Sequence, residues 1–529
     1  MKKILTIICI LTISNIAKSQ PGSLDNTFGT AGKVITDFGS LTSAEGYTVV
    51  VQSDGKIVMA GTTTTGSSGT LNDFIIVRHN ADGTFDNSFG TNGIVTTDFV
   101  NINNTSLSNQ GKTMAIQSDG KIVVAGTVIN PSANYPYSHS FGLARYNTNG
   151  TLDNTFGTNG MVHNNTQGYC QALALQSDGK ILVTGYPFGG NYMFTINRWN
   201  ADGSVDLDFG TGLNMGTENY QIGGQNYSSI PHSIIAQNNG KILVTGYYYP
   251  TSSTSGINRF ALIRLNNDGS YDNSFSTDPN LLIGSYLDNA YCAAIQSDGK
   301  ILVAGMTSSS VSVSDWVIVR LNMNGTMENS FGVNGIAIVS FLSSGNEDPR
   351  SIAIQNDGKI VVAGSTGNNA ARDIALVRLN SNGSPDNTFG SYGKVITPVG
   401  SGEENGYSVA LQSDGKILAA GYTVSNNKRD FVLMRYKGSG SVGVMETEAT
   451  VNVHIYPNPS NDFLIIEGGF EAEINITLTD VSGKQVLKQT ENGLAKKYEL
   501  NTERLSNGIY MLKIQGTTQQ VIRKVNIMH

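Results

Sequence analysis

One short segment, Gln-x-x-Gly-Lys-Ile, recurs seven times, with its glycine at 55, 120, 179, 240, 299, 358 and 415 and a mean spacing of 60 residues. Self-similarity at a fixed period restricts a chain to repeat architectures, in which one supersecondary unit is stacked or arrayed. Two further markers keep the same beat. An Asp-x-x-Phe-Gly signature, in its fullest form, places Phe at 28, 89, 156, 209, 275, 331 and 389, and an apolar run ends in Arg at 78, 145, 198, 264, 320, 378 and 435. The three markers agree on seven units, which is how a chain of 529 residues can form one large domain plus appendages.

Each unit reads as four short strands, which in the first are Lys33 to Asp37, Tyr47 to Gln52, Lys56 to Ala60 and Phe74 to Arg78. Asp54 and Gly55 join the second to the third, and this pair predicts a two-residue type I′ hairpin turn. Runs such as Ile57-Val58-Met59-Ala60 are apolar at every position, so both faces of that strand are expected to be buried between neighbouring sheets. Four strands per unit, seven units and no degenerate cap at either end favour a closed propeller over an open solenoid. The three markers together, over Leu24 to Tyr436, resemble the delta-60 repeat, a bacterial β-propeller family of unknown function. The resemblance implies the fold and supplies no catalytic residues.

The chain begins with Lys2 and Lys3, an apolar run from Ile4 to Ile13, and Ala17-Lys18-Ser19, the pattern of a cleaved secretory signal. No later apolar stretch is long enough to span a bilayer, so no transmembrane segment is expected in the mature chain. After Arg435 a Gly-Ser-rich stretch reads as linker, and a second β-rich segment follows. The expected organisation is a signal peptide over 1–19, the propeller over 20–436, a linker over 437–450 and a small β-sandwich over 451–529. The fold class is thus all-β: a seven-bladed β-propeller followed by a small Ig-like β-sandwich.

The last segment looks like the type A sorting domain of the type IX secretion system, known from Bacteroidota. The likeness rests on Tyr456-Pro457-Asn458-Pro459, Asp480-Val481-Ser482-Gly483-Lys484 and Leu505 to Tyr510 with Gly508. It implies passage through the outer membrane by that machinery, removal of the tail, and a secreted or surface-held product. Here Arg523 and Lys524 are followed by Val525 to His529, a departure from the basic ending common in that family.

With 34 basic against 41 acidic residues and no concentrated cationic stretch, nucleic acid is not an expected partner. The six His residues lack metal-ligand spacing, and no nucleophile elbow or zinc-protease motif occurs. Cys170 and Cys292 occupy similar places in the third and fifth repeats and read as free buried thiols. The turn Asn80-x-Asp82-Gly83-x-x-Asp86, echoed in later repeats, reads as a plain Asx turn, with a calcium loop as the alternative and no other cofactor expected. The seven Arg residues match seven acidic positions, Asp25, Asp86, Asp153, Asp206, Asp272, Glu328 and Asp386, and are expected to latch onto them or onto turn carbonyls.

Antiparallel order puts the Asp-Gly hairpins on one edge of every sheet and the loops of variable length on the other. The variable edge carries Tyr135 and Tyr137 in the second repeat, Tyr186, Phe188 and Tyr192 in the third, and Tyr247, Tyr248 and Tyr249 in the fourth. Rigid aromatic faces suit a flat partner, so these residues form the candidate binding site, with a glycan or surface polymer as the partner class. The rival readings are an extracellular hydrolase or lyase working at the central channel, marked by carboxylates or His on the innermost strands, and a structural surface protein.

Overall fold

The computed structural model describes residues 20–39, 43–65, 71–100, 107–130, 139–189, 192–210, 216–251, 257–276, 283–284, 287–310, 313–341, 345–368, 371–400, 402–438, 453–457, 460–468, 474–480, 485–491, 497–515 and 520–527. The expected signal segment and the residues 439–450 lie outside these. The chain divides into two compact units, Ser19–Ser439 and one containing Gly440–His529.

The first unit is a propeller of seven sheets. Blade 1 consists of Ala44–Val51, Ile57–Thr65, Leu71–His79 and Ile94–Thr97, hydrogen-bonded antiparallel in that order. Blades 2, 3, 5 and 6 repeat the pattern and begin with Ser108–Ile116, Tyr169–Leu175, Leu287–Ile295 and Asn346–Ile354, and blade 4, beginning with Tyr227–Ala236, has three strands among the described residues. Blade 7 takes Glu404–Leu411, Ile417–Ser425 and Lys428–Tyr436 from the end of the propeller and Lys33–Thr36 from its beginning, with Lys33 opposite Met434 and Thr36 opposite Phe431. The first strand of each blade packs against the first strands of both neighbours, so these seven strands line the axis.

Blade and sequence unit are therefore out of phase by one strand. In every blade with a described fourth strand, that outermost strand is the segment that opens the next unit, and the first of these segments closes the circle. The all-apolar second strands behave as expected. Ile57, Val58, Met59 and Ala60 are buried, one pair of faces packing toward blade 2 and the other toward blade 7. Ile57, Val58 and Met59 each contribute about 1.5–3 kcal/mol relative to exposure.

The hairpin differs from the expected two-residue turn. Gly55 N–H donates to Gln52 O at 2.9 Å and Gln52 N–H to Lys56 O at 2.8 Å, so the loop has three residues, Ser53, Asp54 and Gly55. Only Gly55 has positive φ, at 85°, and Asp54 stays in ordinary backbone because its carboxylate accepts the Lys56 N–H at 3.1 Å. This is the three-residue hairpin with glycine in the left-handed region.

On the hairpin face the three sequence markers meet in one device. Arg78 Nε donates to Asp86 Oδ2 at 2.7 Å, its guanidinium lies 4.4 Å from the centre of the Phe89 ring, and Lys56 Nζ reaches the same Asp86 oxygen at 2.8 Å. A second guanidinium nitrogen donates to Thr148 O of blade 2 at 2.5 Å, and Gly90 N–H donates to Asn149 O at 2.9 Å, so the latch also ties blade to blade. All seven Arg residues make the Nε bond to their acidic partner, the last from Arg435 to Asp25 at 2.9 Å across the closure. The suspected calcium turn is closed on itself. Asp82 Oδ1 accepts both the N–H and the hydroxyl of Thr84, while Asp86 faces Arg78, Lys56 and Ser88.

The second unit is a two-sheet sandwich. His454–Tyr456, Phe463–Glu467 and Lys497–Asn501 form one sheet, and Gln485–Glu491, Ile474–Asp480, Gly508–Gln515 and Gln520–Ile527 form the other. Leu464, Ile466 and Leu500 from the first meet Ile476, Leu478, Leu512, Ile514 and Val525 from the second, all without solvent exposure. Alternation along each strand produces this single core between two solvated faces.

Candidate functional site

Every innermost strand carries a β-bulge at the same place. The residue left out of pairing is Tyr47, Lys112, Gln171, His232, Tyr291, Arg350 and Tyr407 in blades 1 to 7. A bulge re-aims a side chain that would otherwise point at a neighbouring sheet. The facing strand makes room with a glycine, at 61, 126, 185, 246, 305, 364 and 421, where an added Cβ would come within 1.8–2.0 Å of a backbone carbonyl oxygen of the bulged strand. Gly364→Ala should therefore push the strands apart, at a cost of about 1–3 kcal/mol typical of overpacking. Thermal unfolding checks this, with Gly415→Ala at an open hairpin tip measuring the separate cost of positive φ.

The bulged side chains form a collar in the channel. Lys112 Nζ of blade 2 lies 4.0 Å from the centre of the Tyr47 ring and 5.7 Å from that of Tyr407, although blade 1 separates blades 2 and 7. Tyr47 and Tyr407 meet edge to face at 4.9 Å. Arg350 stacks on Tyr291 at 4.4 Å and reaches Tyr407 at 5.9 Å, and His232 meets Tyr291 at 5.1 Å. All of these residues are half-buried.

Burial and like charge set the collar's electrostatics. Desolvation, with the Arg350 charge added to it, lowers the Lys112 amine to about 8. Desolvation with Arg350 and Lys112 lowers His232 to about 3, so its imidazole is neutral at ordinary pH. Burial raises the hydroxyls of Tyr47, Tyr291 and Tyr407, which stay protonated and able to donate. The nearby carboxylates are already engaged: Glu45 by the Tyr47 hydroxyl and Arg429, and Asp348 by Arg372 at 2.5 Å, with Arg350 more distant at 3.7 Å.

The sequence-selected tyrosines sit beside this collar, toward the variable edge. Tyr247 stacks on His232 at 5.6 Å, and Tyr249 lies 6.1 Å from Tyr247. In blade 3, Tyr186 meets Tyr192 at 5.0 Å and Tyr169 at 5.3 Å, and Phe188 stacks on His139 of blade 2 at 4.2 Å. Burial, reinforced by the neighbouring Tyr169, raises the Tyr186 hydroxyl to about 12. Tyr248 turns the other way, 5% exposed and packed on Tyr227 at 5.4 Å in the interior of the propeller. Tyr135 and Tyr137 lie outside the described residues.

The collar was missed by reading the sequence, yet it has a fixed address: each member stands eight residues before the hairpin glycine. Cys170 and Cys292 flank the bulges of blades 3 and 5 as free buried thiols, and desolvation pushes both up to about 12. Among the described residues no group of three or more His, Cys, Asp or Glu side chains converges as a metal site would require.

In the tail, the Tyr456 hydroxyl donates to Glu467 at 2.8 Å and Pro457 follows through a cis peptide bond. Asp480 stands opposite Tyr510, Gly508 opens that strand, and the Tyr510 hydroxyl donates to Ser506 O at 2.8 Å. Asn458, Pro459 and Gly483 lie outside the described residues.

Comparison with known proteins follows the same division. The model of the domain of unknown function (DUF5122) beta-propeller matches seven times, at 52–89, 117–156, 176–209, 237–275, 296–331, 355–389 and 412–442. The secretion system C-terminal sorting domain matches at 454–528. No curated protein matches the sequence. Among solved structures, polysaccharide lyase Uly1 is 12% identical with a TM-score of 0.44, covering 74% of this chain and 90% of its own. A PL25 ulvan lyase is 8% identical with a TM-score of 0.31, covering 96% and 94%. An endo-arabinase from Bacteroides thetaiotaomicron is 10% identical with a TM-score of 0.31, covering 51% and 93%. Similarity at this level leaves activity to be argued from the residues of this chain. The chain belongs to the DUF5122 β-propeller family, carries the sorting domain of type IX secretion at its C-terminus, and is a secreted or cell-surface protein.

Proposed function

We propose that the propeller binds a carbohydrate chain at the variable edge of its channel, and that the tail serves delivery by the type IX machinery. A signal peptide at 1–19 fits the first step of that route. The observation that carries the binding reading is the continuity of the aromatic surface. Phe188, Tyr169, Tyr186 and Tyr192 of blade 3 form one run, Tyr249 and Tyr247 of blade 4 form another that leads to His232 and so into the collar, and Tyr249 is near enough to Tyr186 and Tyr192 to interact with them electrostatically. Aromatic faces held by packing offer contact area at little entropic cost, each adding about 0.5–1.5 kcal/mol beyond its buried area. Several rings together reach the roughly 4 kcal/mol of a millimolar complex, so single sites are weak and multivalent display strengthens them.

Replacing Tyr186 and Tyr247 together by Ala should weaken binding to responsive polysaccharides about tenfold or more, read by affinity electrophoresis against neutral and acidic polymers. Tyr248→Ala should instead lower the melting temperature and leave affinity nearly unchanged, because its ring faces the interior. Equal binding by the Tyr186/Tyr247 double variant and the parent would sink this reading.

A catalytic reading has one observation in its favour. His232 is a neutral imidazole in the channel whose Nε2 has no hydrogen-bond partner among the described residues. Its expected signature is depolymerisation of a bound polysaccharide, abolished in His232→Ala while binding persists. Intact polymer after prolonged incubation with the parent protein removes it.

A further inference from the structure

We propose that the channel collar is an anion site, with Lys112 and Arg350 supplying the charge, so that the ligand is an acidic carbohydrate whose carboxylate or sulfate group enters the channel. The acidic-carbohydrate part rests on the rim reading above, while the anion site rests on the collar alone. Of the seven bulge positions two hold cations and none holds an anion. The two cations come from blades 2 and 6, which are not neighbours, and the Arg350 charge is felt at Lys112 across the axis.

Neither charge is neutralised by a close partner of its own. Lys112 makes no ion pair among the described residues and rests on the faces of Tyr47 and Tyr407. Arg350 rests on Tyr291 and Tyr407, and the one carboxylate near it, Asp348 at 3.7 Å, is held more closely by Arg372 at 2.5 Å. Glu45 is taken by Tyr47 and Arg429, and Glu403 accepts from Asn405 Nδ2 at 2.6 Å.

Two like charges in a half-buried site repel each other and have given up part of their hydration, an arrangement that an entering anion relieves. Around them stand the hydroxyls of Tyr291 and Tyr407, donors that an oxyanion can use, while that of Tyr47 is already given to Glu45. Planar guanidinium and compact ammonium together fit a carboxylate or a sulfate. The rim tyrosines would hold the sugar faces while the collar takes the charged substituent.

The test uses the full chain in two arms. In the first, Lys112 acetylation by acetic anhydride is followed by mass spectrometry, with sodium sulfate or sodium glucuronate added against a sodium chloride control of equal ionic strength. Either anion should slow modification of Lys112 at least threefold and leave exposed Lys497 unaffected. Equal rates with both anions would overturn the anion site, whatever the rim does.

In the second arm, polygalacturonate, dextran sulfate and neutral dextran are titrated into the parent and into Lys112→Gln/Arg350→Gln. Either acidic polymer should bind the parent at least tenfold more tightly than dextran, and its identity shows which anionic group is taken. The double variant should lose that tenfold preference and keep any dextran affinity. A preference that survives in a folded double variant, or a parent that does not distinguish acidic from neutral polymer, would overturn the acidic ligand. Loss of all polymer binding in Tyr186→Ala/Tyr247→Ala with Lys112 protection intact supports both layers, whereas retained binding there removes the rim alone.

Discussion

Asp25→Ala should destabilise the propeller by about 3–5 kcal/mol, the loss expected when one partner of a buried charge pair is deleted and the other stays behind. Asp25 is 2% exposed and accepts from Arg435 Nε at 2.9 Å, with Lys416 at 3.4 Å from the same oxygen. Arg435 stacks on Phe28 at 4.5 Å and donates to Ala81 O of blade 1, so one carboxylate supports the last blade, the N-terminal segment and the first blade together. Asp54→Ala, which removes an exposed hairpin-tip carboxylate, is the control and should cost well under half as much. Adding Arg435→Leu to Asp25→Ala should recover part of the loss, since no unpaired charge then remains inside. The readout is thermal unfolding together with the rate of limited proteolysis. An Asp25 variant that melts with the Asp54 control would show that the N-terminal strand closes the circle without help from this pair.

The second large effect is acid sensitivity. At Asp86, Asp153 and Asp272 burial alone would raise the carboxyl. Hydrogen bonds from the following Ser or Thr, and the Lys and Arg of the latch, outweigh burial and hold these groups well below the usual carboxylate range. Asp25, Asp206 and Asp386 are lowered against the same burial term, and Glu328 is lowered chiefly by its hydrogen bond from Ser330. A carboxyl whose folded pKa lies below its unfolded value stabilises the fold fully above the unfolded value, about 3.9 for Asp, and loses that contribution as pH falls toward the folded one. The propeller should therefore begin to lose stability below about pH 6.5, where the unfolded chain protonates histidines that burial keeps neutral in the fold, His79 at about 4 and His232 at about 3, and should weaken more steeply below about pH 4 as the latches titrate. Each unit of depression is worth about 1.4 kcal/mol per group, and seven latches act together. Melting temperature against pH, repeated in Asp86→Asn, checks the assignment: the variant starts lower and falls less. A flat profile through pH 3 would contradict it.

Much of this architecture can be read from sequence because it is local. The hairpin glycine, the all-apolar strand and the Arg, Asp and Phe markers recur at set offsets, and each is fixed by contacts within one unit or with the next. Non-local features resisted reading. Nothing in Lys33-Val34-Ile35-Thr36 says that it pairs with Met434 and its neighbours instead of with its own unit, because a short amphipathic strand fits either edge. The collar escaped for a different reason. Its members differ chemically from blade to blade, so similarity between repeats hides them, and a bulge breaks the period-two alternation by which a side chain's direction is inferred. Alternation did hold in Tyr247-Tyr248-Tyr249, and applied strictly it separates the middle ring from the outer two. The three-residue hairpin was misjudged because Asp-Gly suits either turn, and the choice fell to the Asp54 carboxylate and the Lys56 N–H.

The phase shift between unit and blade has a kinetic side. The pair that seals the circle joins residues 410 positions apart, Asp25 and Arg435, so the first strand to leave the ribosome waits for the last repeat before it has an edge to occupy. Loop closure over such a distance is entropically the most costly of the propeller's contacts, and folds dominated by distant pairing form slowly. Were the proposed signal peptide to lead the chain across a membrane N-terminus first, this delay would be useful: the circle could not lock until the seventh repeat had followed the first through.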